Sequence, residues 1–191
     1  MTPLGVFIRT MLMKYIGVLI QFHKAQRGWM AKMVSLAVGV FFFLVVLPLI
    51  FYCFAELTGI SFDCSAAIKL VVIVVSTATG LFFLGWATWT QIRVGGGTPT
   101  PNSPTRRLVT VGPYRYTRNP IEFGAIWYYL GFGCILGTIF HGIVCMLSGL
   151  IFGSICHKFV EEKALLLRFG NEYAEYKKRT PFLFPRLRPR N

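Results

Sequence analysis

Residues 121–159 read IEFGAIWYYLGFGCILGTIFHGIVCMLSGLIFGSICHKF, an apolar stretch with a single acidic residue. It is too long for one crossing, since a helix rises about 1.5 Å per residue and a hydrocarbon core is about 30 Å thick. Two helices in a tight hairpin fit its length, with the turn predicted at Phe140-His141-Gly142. Each arm carries two glycines spaced four residues apart, which lets helix backbones approach closely. These pairs are Gly133 with Gly137 and Gly149 with Gly153.

Two more apolar runs lie upstream, at 33–55 and 67–90, and each is long enough to cross a bilayer. Of all residues, 54% are hydrophobic and only 14% are charged. A soluble domain carries roughly 25% charged residues, so this composition argues against one. The sequence therefore predicts one all-α domain over 1–191, an integral membrane bundle of about four transmembrane helices.

The first 30 residues follow a different pattern. Apolar side chains recur at helical spacing between Leu4 and Leu19, while Arg9 and Lys14 fall on one polar arc. Such a helix is typical of the membrane interface. We therefore expect an interfacial amphipathic helix over 1–30, with a fifth crossing as the alternative.

Basic residues predict the orientation of the bundle. The net charge is +13, yet the 56–66 loop contains no Lys or Arg. The basic residues concentrate in the N-terminal segment, in the 94–120 loop and in the 160–191 tail. The positive-inside rule then predicts that all three segments, and both termini, are cytoplasmic. Because the charges fit topology, we expect membrane lipids as partners, no nucleic acid and no obligate protein partner. The membrane would be the plasma membrane in a prokaryote and the endoplasmic reticulum in a eukaryote.

The cytoplasmic tail has its own helical pattern. A helix is predicted at 158–169, with Gly170 as its C-terminal cap, and a shorter helix at 171–179. Pro181 then ends the helical pattern.

Charged residues meet at one end of the predicted hairpin. Glu122 opens its first arm, and Glu161 and Glu162 close its second, with His157 one helical turn earlier. Ionisable groups beside a membrane helix are costly, so they are candidate functional residues. The segment from Arg106 to Pro120 runs into the same end.

These residues belong to a longer pattern. Residues 106–120 read RRLVTVGPYRYTRNP, and after the hairpin come the Glu161-Glu162 pair, FGNEY at 169–173 and Tyr176. Over about residues 95–185 the chain resembles the superfamily of isoprenylcysteine carboxyl methyltransferases and phospholipid methyltransferases. These are small integral membrane enzymes that use S-adenosylmethionine.

The resemblance implies a cofactor site at the cytoplasmic end. Leu108, Val109 and Tyr114 would line the adenosine, and Glu161 or Glu162 would face the cationic end of the cofactor. The remaining positions implied at the cofactor are Arg106, Gly112, Asn119 and Pro120. Arg118 would pair with the carboxylate of the ligand. The five cysteines contain no CxxC, and we expect no metal site.

Two positions depart from the superfamily pattern. Asn119 stands where carboxyl methyltransferases usually have His, and Asn is common in the phospholipid type. Glu122 stands where the superfamily usually has Tyr. Both departures bear on the acceptor, which would be an isoprenylcysteine carboxylate or a lipid head group.

Methyl transfer from a sulfonium mainly requires alignment of donor and acceptor. A carboxylate acceptor needs no base, whereas an amine must lose a proton, for which Glu122 or Glu161 is the candidate. The predicted catalytic residues are thus Arg118, Glu122 and Glu161, with Glu122 and His157 towards the substrate.

Two other functions remain open at this point. Membrane sterol reductases, which use NADPH, have a similar C-terminal half, but here no Asn-Tyr follows Pro120 and no acid follows Gly124. A non-enzymatic transporter or scaffold is the second alternative. Transport sites usually lie near the bilayer midplane, whereas the charges here gather at one end.

Overall fold

The computed structural model describes residues 29–98 and 105–186, and every regular element within these ranges is helical. In chain order the α-helices are α1 (Trp29–Phe41), α2 (Leu47–Glu56), α3 (Ala66–Thr90), α4 (Pro120–Leu136), α5 (Ile139–Cys156), α6 (Glu162–Phe169) and α7 (Asn171–Arg179). Wider π-helical turns join α1 to α2 (Phe42–Val46), extend α3 (Gln91–Gly95) and join α5 to α6 (His157–Glu161). The all-α prediction is confirmed for these residues.

Three of the described helical stretches are long and apolar enough to cross a membrane: Leu36–Glu56, Ala66–Gly95 and Ile139–Arg179. Helix α4 is also apolar but has only 17 residues. At about 1.5 Å per residue it spans about 26 Å, slightly less than a hydrocarbon core. The count of four crossings therefore stays a prediction. An interfacial helix was predicted over 1–30. Residues 1–28 of it lie outside the described residues, and residues 29 and 30 begin α1.

The prediction of the hairpin turn at Phe140-His141-Gly142 is wrong. Helix α4 ends at Leu136 and α5 begins at Ile139, so the turn is Gly137-Thr138. Gly137 leaves the helical region with φ −140° and ψ −126°. Thr138 then caps α5 reciprocally with His141, whose Nδ1 lies 3.2 Å from the Thr138 backbone nitrogen. His141 is thus a capping residue inside the first turn of the helix.

The loop between α2 and α3 holds this hairpin turn. The Lys69 ammonium donates to Asp63 at 2.8 Å and to the Gly137 carbonyl at 2.5 Å. Lys69 also holds the pKa of the Asp63 carboxyl below its usual range. A second Asp63 oxygen accepts the Ile139 N–H at 3.2 Å, which satisfies a free donor at the start of α5. This end of the bundle is therefore tied together by polar contacts.

The π-turn between α1 and α2 receives hydrogen bonds from α4. A π-turn disrupts the regular backbone ladder and frees carbonyl groups. The Tyr129 hydroxyl donates to the Phe43 carbonyl at 2.9 Å, and the Tyr128 hydroxyl donates to the Leu44 carbonyl at 3.0 Å. In lipid, such carbonyls need a protein partner, so the π-turn and the two tyrosines fix α4 against the first helices.

Small residues allow α4 to pack closely on both sides. A Cβ at Gly80 of α3 would lie 2.8 Å from the Gly124 carbonyl, and one at Gly133 would lie 2.8 Å from the Gly142 Cα. Contacts of that kind admit no side chain. The backbone approach expected from the glycine pairs therefore occurs at Gly133, with α5 as its partner.

Beyond α5 the helix continues through the π-turn into α6 and ends at Phe169. Gly170 has φ +54°, a conformation that L side chains rarely adopt. It stops the helix as predicted, and α7 follows at Asn171.

Replacing Gly80 by Ala should test the close approach of α3 and α4. The new Cβ would lie 2.5 Å from the Tyr128 backbone nitrogen, so the helices must separate. We expect thermal unfolding in detergent to show a loss of about 1–3 kcal/mol. Gly85→Ala is the matched control, since nothing lies within 4 Å of its Cβ. Equal stability of the two variants would contradict this packing.

Candidate functional site

The segment that enters α4 packs on the end of α3. Val109 and Tyr114 are buried against Ala87, with Ile121 beside them. The chain can pass this close because of Gly112, which has φ +62° and whose Cβ would lie 2.9 Å from the Thr90 hydroxyl. The predicted motif residues therefore form a packed wall at one end of the bundle.

Residues 180–186, here called the C-terminal strap, lie along this segment. The Arg118 N–H donates to the Pro181 carbonyl at 2.9 Å, and the Asn119 amide donates to the Phe182 carbonyl at 2.8 Å. Next to them the Arg186 N–H donates to the Tyr116 carbonyl at 3.0 Å. The side chain of Asn119, which was predicted at the cofactor, thus binds the strap.

A partly buried ion cluster joins the same segment to the tail helices. Arg118 and Lys177 each pair with one oxygen of Glu162, which is 9% exposed. The Arg118 Nη1 also lies 3.5 Å from the Tyr173 hydroxyl. Both oxygens of Glu162 are therefore occupied by cations of the protein.

The second polar cluster lies at the mouth of the hairpin. Glu122 is 8% exposed, and its Oε2 lies 3.6 Å from His157 Nε2. The other ring nitrogen of His157, Nδ1, contacts the Glu161 carboxylate. The side chain of Glu161 is 48% exposed, so its outer face is open. The predicted proximity is therefore found for Glu122, His157 and Glu161, whereas Glu162 joins the cluster of Arg118 and Lys177 instead.

Other predicted residues have simpler surroundings. Arg106 is exposed, and its N–H donates to the Gly95 carbonyl at 2.6 Å. Leu108 is half-buried, and Pro120 is buried as the first residue of α4.

Gln91 is a polar residue of this end that the sequence reasoning missed. Its side-chain carbonyl oxygen is buried without a hydrogen-bond partner among residues 29–98 and 105–186, and its side chain lies against the buried Tyr114 hydroxyl. Burial raises the pKa of Tyr114 well above its usual range, so the phenol stays protonated and can donate. Gln91 follows directly after an apolar run, which is a signal for a residue at the membrane mouth.

The model of one protein family, described as phospholipid methyltransferase, matches residues 68–172. This range is more than half of the 191 residues. The chain belongs to the phospholipid methyltransferase family. A comparison with curated proteins finds no match. The range shared with the phospholipid methyltransferase family contains the whole hairpin and the Glu161-Glu162 pair, whereas the strap lies beyond it.

Glu162→Ala should destabilise the protein strongly. The change leaves the Arg118 guanidinium buried without its carboxylate, which typically costs about 3–5 kcal/mol. Thermal unfolding in detergent measures the loss. Glu175→Ala removes an exposed pair with Lys178 on α7 and should have no measurable effect. If the two variants unfold alike, Glu162 does not hold this end together.

Asn119→Ala should loosen the strap. It removes one hydrogen bond to the Phe182 carbonyl, worth about 1 kcal/mol. Hydrogen exchange at the Arg118 and Arg186 amides should then accelerate by about fivefold, the equivalent of that energy. The control is Arg115→Ala, an exposed change in the same segment. Unchanged exchange in Asn119→Ala would show that the strap is held without this side chain.

Proposed function

We propose that this protein is an S-adenosylmethionine-dependent methyltransferase that acts on the amine of a lipid head group. Membership of the phospholipid methyltransferase family supports the reaction and the lipid substrate. The observation that carries the site is the contrast between its two adjacent carboxylates. Both oxygens of Glu162 are paired with Arg118 and Lys177, whereas the Glu161 side chain is half-exposed at the mouth of the hairpin.

The residues present fit the proposed cofactor. Its cationic end requires a carboxylate, and Glu161 has one with a free side. Its hydroxyl and amino groups require hydrogen-bond partners, and the Gln91 carbonyl oxygen is buried without one among the described residues, beside the Tyr114 hydroxyl. Leu108 is half-buried and offers an apolar surface, Arg106 offers an exposed cation, and Val109 supports the Tyr114 ring from within the packed wall.

When bound, S-adenosylmethionine supplies an activated methyl group on a sulfonium. The remaining requirements fall to the protein. Glu161 would hold the cationic end and take the proton that an ammonium acceptor must lose before it can attack. Arg118 would not contact the cofactor. Its pair with Glu162 would fix the position of the segment that carries Tyr114. Alignment of donor and acceptor accounts for the remaining acceleration.

An amine is favoured over an isoprenylcysteine carboxylate as acceptor. Glu161 presents a half-exposed carboxylate at the mouth, which would repel an anionic acceptor and attract an ammonium. Asn119 in the motif and the family match point the same way. Membership of a methyltransferase family also favours this reaction over the reductase and transporter alternatives.

We further propose that this end of the bundle faces the cytoplasm, with both termini on that side. The basic residues of the 105–186 range and the water-soluble cofactor support this orientation. The lipid acceptor would enter laterally between helices, so that its acyl chains stay in hydrocarbon.

Binding of S-adenosylhomocysteine, measured by calorimetry on detergent-purified protein with added lipid, tests the cofactor. We expect micromolar binding, and in Glu161→Gln a loss of at least about tenfold, because one charged partner is removed. Glu175→Gln, an exposed change on α7, should bind like wild type. Absence of binding by folded wild-type protein would overturn the proposal.

Transfer of a labelled methyl group then tests the acceptor. Vesicles containing phosphatidylethanolamine are compared with vesicles containing a prenylated cysteine. We expect label in the phospholipid alone, and label only in the prenylcysteine would replace the amine by a carboxylate as acceptor.

A further inference from the structure

Glu122 is a buried carboxylate with a specially shaped site. It lies in the first turn of α4, 8% exposed, and its Oε1 has no hydrogen-bond partner among the described residues. A carboxylate buried at a membrane helix end is costly, so its environment must hold it in place.

That environment is a notch in α5 left by Gly153. A Cβ at Gly153 would collide with all three terminal atoms of the Glu122 side chain. Any other residue at 153 would therefore push the carboxylate out. The preceding glycine on the same face, Gly149, instead accommodates the Tyr129 ring. Only the second glycine of this pair serves a charged side chain.

His157 connects this buried carboxylate to Glu161. An imidazole has nitrogens on opposite edges of one rigid ring, and here Nε2 faces Glu122 while Nδ1 faces Glu161. A carboxylate beside each nitrogen restricts rotation of this ring. A displacement of Glu122 would therefore reach Glu161 through the imidazole.

We infer that Glu122, seated in the Gly153 notch, is a positioning residue that orients Glu161 through His157. The inference rests on the proposed function, in which Glu161 contacts the cofactor. It gives a reason for the acidic residue at position 122. The exposed side chain of Glu161 has several rotamers, and Glu122, buried behind His157, favours one of them.

Glu122→Leu separates positioning from packing. Leucine has a volume similar to that of the Glu122 side chain, and His157, whose side chain is 20% exposed, keeps Glu161 as its carboxylate partner, so the protein should stay folded. The unfolding temperature is measured beside the affinity. Affinity for S-adenosylhomocysteine should nevertheless fall by about tenfold, because His157 loses its anchor. Glu122→Gln retains a polar oxygen beside Nε2 and should keep most of the affinity. Wild-type affinity in Glu122→Leu would overturn the inference.

The two glycines of α5 provide a matched pair of variants. Gly149→Ala and Gly153→Ala both overpack the interface with α4, and both should lower the unfolding temperature. Only Gly153→Ala should also weaken S-adenosylhomocysteine binding, because only it displaces Glu122. If both variants weaken S-adenosylhomocysteine binding equally, the loss of affinity comes from packing alone, and the positioning role of Glu122 is overturned.

A measurement without ligand keeps this inference separate from the proposed function. Imidazole ¹⁵N NMR signals of His157, assigned with His157→Gln, should shift in Glu122→Leu and in Glu161→Gln. If wild type binds no S-adenosylhomocysteine, the proposed function fails, and these shifts still decide whether the three residues are coupled. If wild type binds and Glu161→Gln does not, but Glu122→Leu leaves signals and affinity unchanged, only the positioning role fails.

Discussion

The architecture depends on close backbone contact around α4. Helices gain no hydrophobic energy from associating in lipid, so they need tight packing and internal hydrogen bonds. Gly80 and Gly124 supply the first on the side of α3, and Gly133 and Gly142 supply it on the side of α5. A helix of only 17 residues is thereby held between two longer ones. The groups at its N-terminus, Glu122 above all, inherit their positions from these contacts.

The charged end of the bundle divides into a structural half and an open half. Arg118 and Lys177 both pair with Glu162 and join the loop to the tail. Glu161, one residue earlier, lies on another face of the helix and stays half-exposed. Adjacent glutamates therefore acquire different roles because successive helical residues point about 100° apart. The local sequence alone treats them as equivalent.

Much of this could be predicted from the sequence, because hydropathy and glycine spacing report directly on membrane helices. The proximity of Glu122, His157 and Glu161 followed from a hairpin alone. The turn was misplaced because a polar residue, His141, looked like a break, whereas it caps α5 from within the helix. Contacts of the strap could not be foreseen, since a backbone carbonyl such as that of Phe182 leaves no trace in the sequence. Gln91 was missed because its significance lies in burial without a partner.

The helix that begins at Ile139 continues through the π-turn at His157–Glu161 to Phe169, and it relates the two ends of the protein by its length. Glu161 lies about 33 Å along its axis from Ile139, at about 1.5 Å per residue. A hydrocarbon core is about 30 Å thick and varies by a few ångströms with its lipids. In the proposed orientation, with Ile139 tied to the loop that contains Asp63, a thicker bilayer would draw Glu161 towards the acyl chains and a thinner one would lift it into water. Acyl-chain length would then determine the depth of the proposed site through hydrophobic mismatch rather than through any contact with the head group.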